Sequence, residues 1–141
     1  MTQKTYTGSC HCGAIRYEAD LDLAAGSNRC NCSLCFKDRG WFAIAEGAER
    51  FRLLSGGETL TEYRWTPPSK PHPFLTHVFC NRCGVRVFAH GEFPPPGKLF
   101  HAVLLTTLDD ASVDELAASP LNFADGRHDR FDQPPADTRV L

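Results

Sequence analysis

The stretch SCHCGAIRYEAD, residues 9–20, joins two closely spaced cysteines to a strand-like pattern through Gly13. Apolar and charged residues alternate after this glycine, as in a strand with one buried face. The stretch FCNRCGVRVFAH, residues 79–90, repeats the design, with Gly84 directly after its second cysteine. Glycine admits the backbone conformation that lets a chain curl around a metal ion and then continue in extended form. The sequence therefore predicts two metal-binding turns, each followed by a strand.

The seven cysteines of the chain fall into groups of two, three and two. The first and last groups form the outer cluster, which consists of Cys10, Cys12, Cys80 and Cys83. Its four thiolates would complete a tetrahedral structural zinc site. The middle group, the triad, consists of Cys30, Cys32 and Cys35. Three protein ligands with one open position are typical of a catalytic zinc, so we expect the triad to hold a second zinc ion.

Other arrangements of the cysteines remain open from the sequence. In one, a histidine closes the triad, and the candidates are His72, His77, His90, His101 and His128. In another, the triad shares a metal with one outer pair and leaves the other pair without a partner. Disulfides are the weaker interpretation, because the number of cysteines is odd, closely spaced cysteines are badly placed to bond each other and no export segment is evident.

Length and charge place the chain in a broad class. A chain of 141 residues with 42% hydrophobic content is the size of one domain and can bury a core. Its 15 basic and 17 acidic residues leave a net charge of -2, which gives no general attraction to nucleic acid or anionic lipid. No signal peptide or membrane-spanning stretch is evident, so we expect a soluble, cytoplasmic protein with no nucleic-acid or membrane partner.

Short strands separated by glycine and proline predict a mainly β fold. The stretches WFAIA (41–45) and LFHAVLL (99–105) are apolar at successive positions, which predicts strands covered on both faces. Residues 51–65 look like a hairpin, because Gly56 and Gly57 can supply the turn between two strand-like runs.

Proline and capping residues mark the remaining segments. The proline-rich stretches 66–74 and 93–98 are predicted to be loops, because proline cannot donate to a strand ladder. Ser112 and Glu115 have the spacing of a capping box and predict one short C-terminal helix that ends near Pro120. The polar chain after Asn122 is expected to be irregular. We call residues 109–141 the C-terminal strap and expect it to belong to a single domain of residues 1–141.

The order of three motifs resembles a known family. GSCHCGAIRY, CNCSLC and FCNRCGVRVF follow one another as in the glutathione-dependent formaldehyde-activating enzyme (GFA) family, which includes the centromere protein V domain, and the resemblance spans about residues 8–108. It implies a structural zinc on the outer cluster and a catalytic zinc on the triad. It also implies the β-tent (Mss4-like) fold, a set of antiparallel sheets stapled by zinc.

The resemblance also implies an activity. The family name describes the addition of glutathione to formaldehyde, which gives S-hydroxymethylglutathione, and members resemble carbon–sulfur lyases that act on a small-molecule thiol and carbonyl. Lys37 and Arg39, just after the triad, are candidate partners for the carboxylates of such a thiol. Family members often carry a Pro-x-x-His segment near the C-terminus, but here Asn122 or Phe123 stands in place of the histidine.

The charge of the triad limits its chemistry. Three thiolates around Zn²⁺ leave one negative charge, so such a site is poorly suited to activating water but can still lower the pKa of an incoming thiol. Two alternatives from other functional classes are a non-catalytic binding module stabilised by zinc and a thiol-based redox or metal-handling protein. The physiological substrates and the oligomeric state are left open by the sequence.

Overall fold

The computed structural model describes residues 3–93 and 97–141. Within these ranges most of the regular structure is β. The strands are β1 (Lys4–Ser9), β2 (Arg16–Leu21), β3 (Ser27–Cys30), β4 (Phe42–Glu46), β5 (Phe51–Ser55), β6 (Leu60–Arg64), β7 (Thr76–Cys80), β8 (Arg86–Phe93), β9 (Lys98–Leu104) and β10 (Leu121–Ala124). The α-helices are α1 (Ser33–Asp38) and α2 (Val113–Ala118). The predicted mainly β class is confirmed, whereas α1 is an addition to the single helix expected.

The strands form two sheets. A small sheet has the order β1-β2-β5, and a large sheet has the order β10-β3-β4-β9-β8-β7-β6. Neighbouring strands are antiparallel, except that β10 runs parallel to β3. Most neighbours in the large sheet are close in sequence, but β4–β9 and β10–β3 join distant parts of the chain. The second of these pairings brings the C-terminal strap beside the strand that carries Cys30.

The core lies between the two sheets. Tyr17 and Ala19 of β2 are 0% exposed, which confirms the alternation read from the sequence. The Tyr17 ring stacks on Phe51 at 5.2 Å between centroids, and Phe51 in turn stacks on His101 of β9 at 4.1 Å. Tyr17 Oη and Thr107 Oγ1 form a hydrogen bond of 2.6 Å, so the one polar atom of this buried side chain is paired.

The predicted hairpin over residues 51–65 is wrong. β5 pairs with β2 in the small sheet, whereas β6 pairs with β7 at the edge of the large sheet. The two glycines do mark a change of direction, and Gly56 has a φ of 95°. A Cβ at Gly56 would lie 2.4 Å from the Ala14 carbonyl oxygen. The glycine is therefore used where the chain crosses closely over the start of β2 on its way from one sheet to the other.

The two stretches predicted to be buried on both faces, residues 41–45 and 99–105, differ in how they are covered. β9 is buried from His101 to Leu104, as its pattern predicts. β4 is covered on one face only, because Ala43 and Ala45 are buried while Ile44 is 38% exposed. The prediction that residues 41–45 are covered on both faces is therefore wrong. The small alanines of β4 face the core, and the apolar side chain of Ile44 lies on the solvent-facing side of the strand.

The predicted loops and C-terminal helix have mixed outcomes. Residues 66–74 contain no strand, as expected, but in the second loop Phe93 and Lys98 pair with each other at the ends of β8 and β9. The prolines at 94–96, which carried that prediction, lie outside the described residues. The capping box of α2 is confirmed, with Ser112 Oγ accepting from Glu115 N at 3.0 Å and Ser112 N donating to Glu115 Oε1 at 3.2 Å.

The C-terminal strap is less irregular than predicted. β10 includes Phe123 and Ala124, and a 3₁₀ turn follows at Gly126–His128. The cause is a partner that local sequence does not reveal, because β10 forms its ladder with β3. Nowhere in the described part of the chain is there a helix with the length and apolar character needed to cross a membrane.

Candidate metal centres

The outer cluster forms where two turns of the chain meet. Cys10 and Cys12 lie in the turn between β1 and β2, and Cys80 and Cys83 lie at the turn between β7 and β8. The four sulfur atoms are all within 4.8 Å of one another. Sγ of Cys12 is 3.7 Å from Sγ of both Cys10 and Cys80. Four sulfur ligands at this spacing suit a single soft metal ion such as zinc.

The two turns have the same backbone hydrogen bonds. In the first, Cys10 N donates to Ile15 O at 3.1 Å and Gly13 N donates to Cys10 O at 3.2 Å. In the second, Cys80 N donates to Val85 O at 3.0 Å and Gly84 N donates to Cys80 O at 2.8 Å. Gly13 and Gly84 have φ angles of 79° and 75°, a conformation that favours glycine. The repeated design read from the sequence is therefore a repeated structure.

Backbone N–H groups surround the sulfur atoms of the outer cluster. Ile15 N donates to Cys10 Sγ at 3.3 Å, and Arg82 N donates to Cys80 Sγ at 3.4 Å. The N–H of Cys12 is the main reason that the pKa of the Cys83 thiol is lowered, to about 6. These donors favour the thiolate form at Cys80 and Cys83, which is the form that binds a metal cation.

The triad is built from one short segment of chain. Cys30 ends β3, Cys32 is the N-cap residue of α1 and Cys35 lies in the first turn of that helix. The three sulfur atoms are within 4.8 Å of one another. In the described residues, no histidine nitrogen or carboxylate oxygen joins either sulfur cluster, and the two clusters do not merge. Neither alternative ligand arrangement is therefore supported by the structure.

The helix α1 explains how the triad sulfurs converge. Cys32 Sγ accepts a hydrogen bond from Cys35 N at 3.3 Å, so this cysteine acts as the side-chain cap of the helix. Cys32 N donates to Cys30 Sγ at 3.4 Å. The pKa of the Cys32 thiol is lowered, chiefly by hydrogen bonding from Cys30 and then from Cys35. One thiolate is therefore favoured at the start of the helix even before any metal binds.

A loop from the C-terminal strap lies over the triad. This covering loop, residues 125–131, approaches so closely that a Cβ at Gly126 would lie 2.5 Å from Cys30 Sγ. Asn31, between two triad cysteines, fixes the loop in place. Its Nδ2 donates to Asp125 Oδ1 at 2.8 Å, and its Oδ1 accepts from Arg127 N at 2.9 Å. Local sequence patterns do not reveal this contact, because nearly one hundred residues separate the partners.

A buried ion pair joins α1 to the large sheet. Arg86 Nε lies 2.8 Å from Asp38 Oδ2, and both side chains are largely covered. Arg86 also contacts Nδ1 of His77. Burial raises the pKa of the Asp38 carboxyl, while the charge of Arg86 opposes this effect. The pair holds the end of α1 against β8, so the helix that carries Cys35 is anchored at both of its ends.

The candidate histidines serve other purposes in the described structure. His101 stacks on Phe51 in the core, and burial lowers its pKa to about 4. His77 is buried beside Arg86, and burial lowers its pKa to about 4 as well. His90 is half-buried beside His101. His72 Nδ1 lies 3.3 Å from the Pro73 carbonyl oxygen, and His128 Nδ1 lies 2.9 Å from Asp125 Oδ1.

The candidate carboxylate-binding residues lie at the end of α1. Lys37 is exposed, in the last turn of the helix. Arg39 is the C-cap residue, and its guanidinium carbon lies 5.6 Å from the centroid of the Phe36 ring. Phe36 and Arg127 were not singled out by the sequence, although Phe36 stands directly after Cys35.

Comparison with known proteins agrees with the cysteine pattern. The model of the glutathione-dependent formaldehyde-activating enzyme family matches residues 5–122. The match contains all seven cysteines and ends before the covering loop. A Halomonas elongata protein named “Putative glutathione-dependent formaldehyde-activating enzyme” is 34% identical over 79 residues, which cover 54% of this chain and 50% of that protein. The matched part thus spans about half the length of this curated relative.

The fold is shared with a solved structure. The crystal structure of a Rhodobacter sphaeroides protein superposes with a TM-score of 0.63 at 26% sequence identity, covering 82% of this chain and 99% of the other. The two sheets, the cysteine clusters and the family match agree with the resemblance predicted from three short motifs. The chain is a member of the glutathione-dependent formaldehyde-activating enzyme family.

Proposed function

We propose that this protein is a zinc-dependent carbon–sulfur lyase. It would join a thiol such as glutathione to formaldehyde or a related small carbonyl compound, or cleave the resulting adduct. The observation that carries the proposal is the triad, whose three sulfur atoms converge without a fourth ligand from the described residues in a chain of the GFA family. Three ligands and one open position are what a thiol substrate would need to reach the metal.

The two cysteine clusters are assigned different roles. Cys10, Cys12, Cys80 and Cys83 would hold a structural zinc, and Cys30, Cys32 and Cys35 would hold a catalytic one. A bound zinc ion at the triad would lower the pKa of the incoming thiol and so supply the thiolate. The chain supports this chemistry by fixing its own sulfurs, through the Cys35 N–H at the start of α1 and through the Asp38–Arg86 pair at its end.

The reaction needs no redox partner. In the forward direction the substrate sulfur forms a bond with the carbonyl carbon, and the proton lost by the thiol ends on the former carbonyl oxygen. In the reverse direction the carbon–sulfur bond breaks and the hydroxyl proton returns to sulfur. Atoms and electrons balance in both directions, so a thiol and a carbonyl compound are the substrates required.

The single-domain organisation of residues 1–141 is also a proposal. It is supported by contacts between the C-terminal strap and the rest of the chain. Ser119 Oγ donates to Leu23 O at 2.6 Å, and Tyr6 Oη donates to Glu115 Oε2 at 2.5 Å. With β10 beside β3, such contacts favour one unit in which the strap folds together with the motif-bearing part, residues 8–108.

The test of the proposed function is rate acceleration that depends on the triad. The exchange between glutathione, formaldehyde and their adduct should be followed by NMR, so that the uncatalysed background is measured in the same sample. Wild-type protein with zinc bound is expected to accelerate the exchange, whereas the triple variant of Cys30, Cys32 and Cys35 to serine is not. Equal rates with the two folded proteins would favour a non-catalytic binding module.

A further inference from the structure

Positive charge without a carboxylate partner is concentrated around the triad. Arg29 precedes Cys30, and Lys37 and Arg39 follow Cys35, while Arg127 reaches the same loop from the C-terminal strap. Among the described residues, none of these four cations forms an ion pair, although others do, such as Arg52 with Asp20 at 2.9 Å. The chain has a net charge of -2, so acidic side chains are not scarce. In the described structure, the positive charge beside the triad is therefore not paired with carboxylates of this chain.

Arg127 is held at the triad by its backbone and by one side-chain nitrogen. Arg127 N donates to Asn31 Oδ1 at 2.9 Å, and Arg127 Nε donates to the Asn31 carbonyl oxygen at 3.1 Å. Its two terminal nitrogens have no acceptor within the described ranges. A guanidinium group fixed through Nε still presents donors in a planar fork, which is the geometry that binds carboxylates.

Arg39 lies at the C-terminal end of α1, where its backbone has an unusual conformation. Its φ of 60° lies in the left-handed region, which glycine or asparagine adopts more readily. Its N–H donates to Cys35 O at 2.8 Å and ends the helix. Its Nη1 donates to the Val140 carbonyl oxygen at 2.5 Å, so the C-terminal strap holds this guanidinium, while its Nε and Nη2 have no acceptor in the described structure.

The two arginines share one aromatic ring. Their guanidinium carbons lie 5.6 Å and 6.0 Å from the centroid of Phe36, the residue after Cys35. A cation–π contact at an exposed ring is weak, and a second guanidinium beside the same ring adds repulsion between like charges. An anion bound between the two groups would replace this repulsion with attraction. Phe36 thus contacts both arginines next to the last cysteine of the triad.

We propose that Arg127 and Arg39, supported by Phe36, bind the carboxylates of the thiol substrate. This inference rests on the proposed function and names the residues of this chain that would select a thiol carrying carboxylates over an uncharged one. The substrate sulfur would enter the triad while its carboxylates remain at the exposed rim. Arg127 lies beyond the family match, so this half of the pair is contributed by the strap of this chain.

The first test compares glutathione with its dimethyl ester, which keeps the thiol but loses both negative charges. Wild-type protein is expected to prefer glutathione, with a ratio of kcat/KM values of about one hundred, because each of the two arginines should contribute about ten-fold through hydrogen bonds to a charged group. Arg127→Gln and Arg39→Gln should each reduce the ratio about ten-fold. Arg16→Gln is the matched control, because Arg16 is an exposed arginine on β2 without an ion pair in the described structure, and it should keep the wild-type ratio.

The second test separates this inference from the proposed function. S-methylglutathione keeps both carboxylates but has no thiol, so its binding can be titrated whether or not the protein is an enzyme. Arg127→Gln should weaken this binding about ten-fold, and Arg127→Lys should restore part of it by keeping the charge. Absence of rate acceleration together with arginine-dependent binding would overturn the proposed function alone. Equal use of glutathione and its ester, or binding unaffected by Arg127→Gln and Arg39→Gln, would overturn the assignment of the arginine pair.

Discussion

The outer cluster and the triad are made of the same residue type but are built in opposite ways. The outer cluster joins two turns that lie about seventy residues apart and belong to different sheets. The triad is drawn from six consecutive residues and is covered by a loop of the C-terminal strap. We expect complete release of a metal from the outer cluster to require the two turns to move apart, whereas release from the triad should need only local motion. The arrangement of cysteines along the chain is therefore consistent with the proposed division into a structural and a catalytic site.

Membership of the hydrophobic core, more than exposure alone, supports the same division, because the core includes cysteines of the outer cluster and none of the triad. Cys10 and Cys80 are 3% and 0% exposed and belong to the hydrophobic core. Each also accepts a backbone N–H from its own turn. Without a metal these thiols would leave closely packed sulfur atoms at the junction of the sheets. Two thiols of the outer cluster are thus part of the core, although Cys12 is exposed, so loss of the cluster should lower the stability of the whole domain.

The largest effect is expected when the outer cluster loses one ligand. Cys10→Ser or Cys83→Ser should lower the free energy of unfolding by more than about 5 kcal/mol, enough to unfold a domain of ordinary stability, because structural zinc contributes directly to folding. Circular dichroism and thermal melts measure the loss. Cys32→Ser is the matched control, since it removes a sulfur from the triad and should leave the protein folded. Equal loss of structure in all three variants would contradict the assignment of different roles to the two clusters.

A smaller effect, on zinc affinity and not on stability, is expected when only the covering loop of the triad is changed. Gly126→Ala places a Cβ against Cys30 Sγ and should lower the affinity of the triad for zinc about ten-fold, as changes next to metal ligands often do. The melting temperature should stay close to that of wild type. Competition with a chelator measures the affinity. Gly57→Ala is the control, because a Cβ at Gly57 meets no atom within 4 Å, and it should change neither property. Unchanged zinc affinity in Gly126→Ala would show that the covering loop does not support the triad.

The parts of the molecule that sequence predicted are those encoded locally. A glycine after a closely spaced cysteine pair specifies a turn by itself, and both turns formed as expected. The alternation after Gly13 and the capping box at Ser112 are likewise complete within a few residues. The resemblance to the GFA family was visible for the same reason, because its motifs are short and consist of cysteines at fixed spacing.

The parts that sequence missed depend on distant partners. The two runs around Gly56 read as a hairpin, but each run found its partner in a different sheet. Cysteine is not among the residues expected to cap a helix, so the capping of α1 by Cys32 was not anticipated. Nothing in the sequence around Arg127 links it to the triad. It lies beside the triad only because the covering loop is bound by Asn31.

The order in which the two clusters release zinc tests the central claim most directly. Zinc-loaded protein should be treated with a chelator and an alkylating reagent, and the modified cysteines identified by mass spectrometry over time. We expect release in two phases, with Cys30, Cys32 and Cys35 modified first while circular dichroism shows a folded protein. Early modification of the outer cluster, or modification of all seven cysteines in one phase, would contradict the assignment of the open site to the triad.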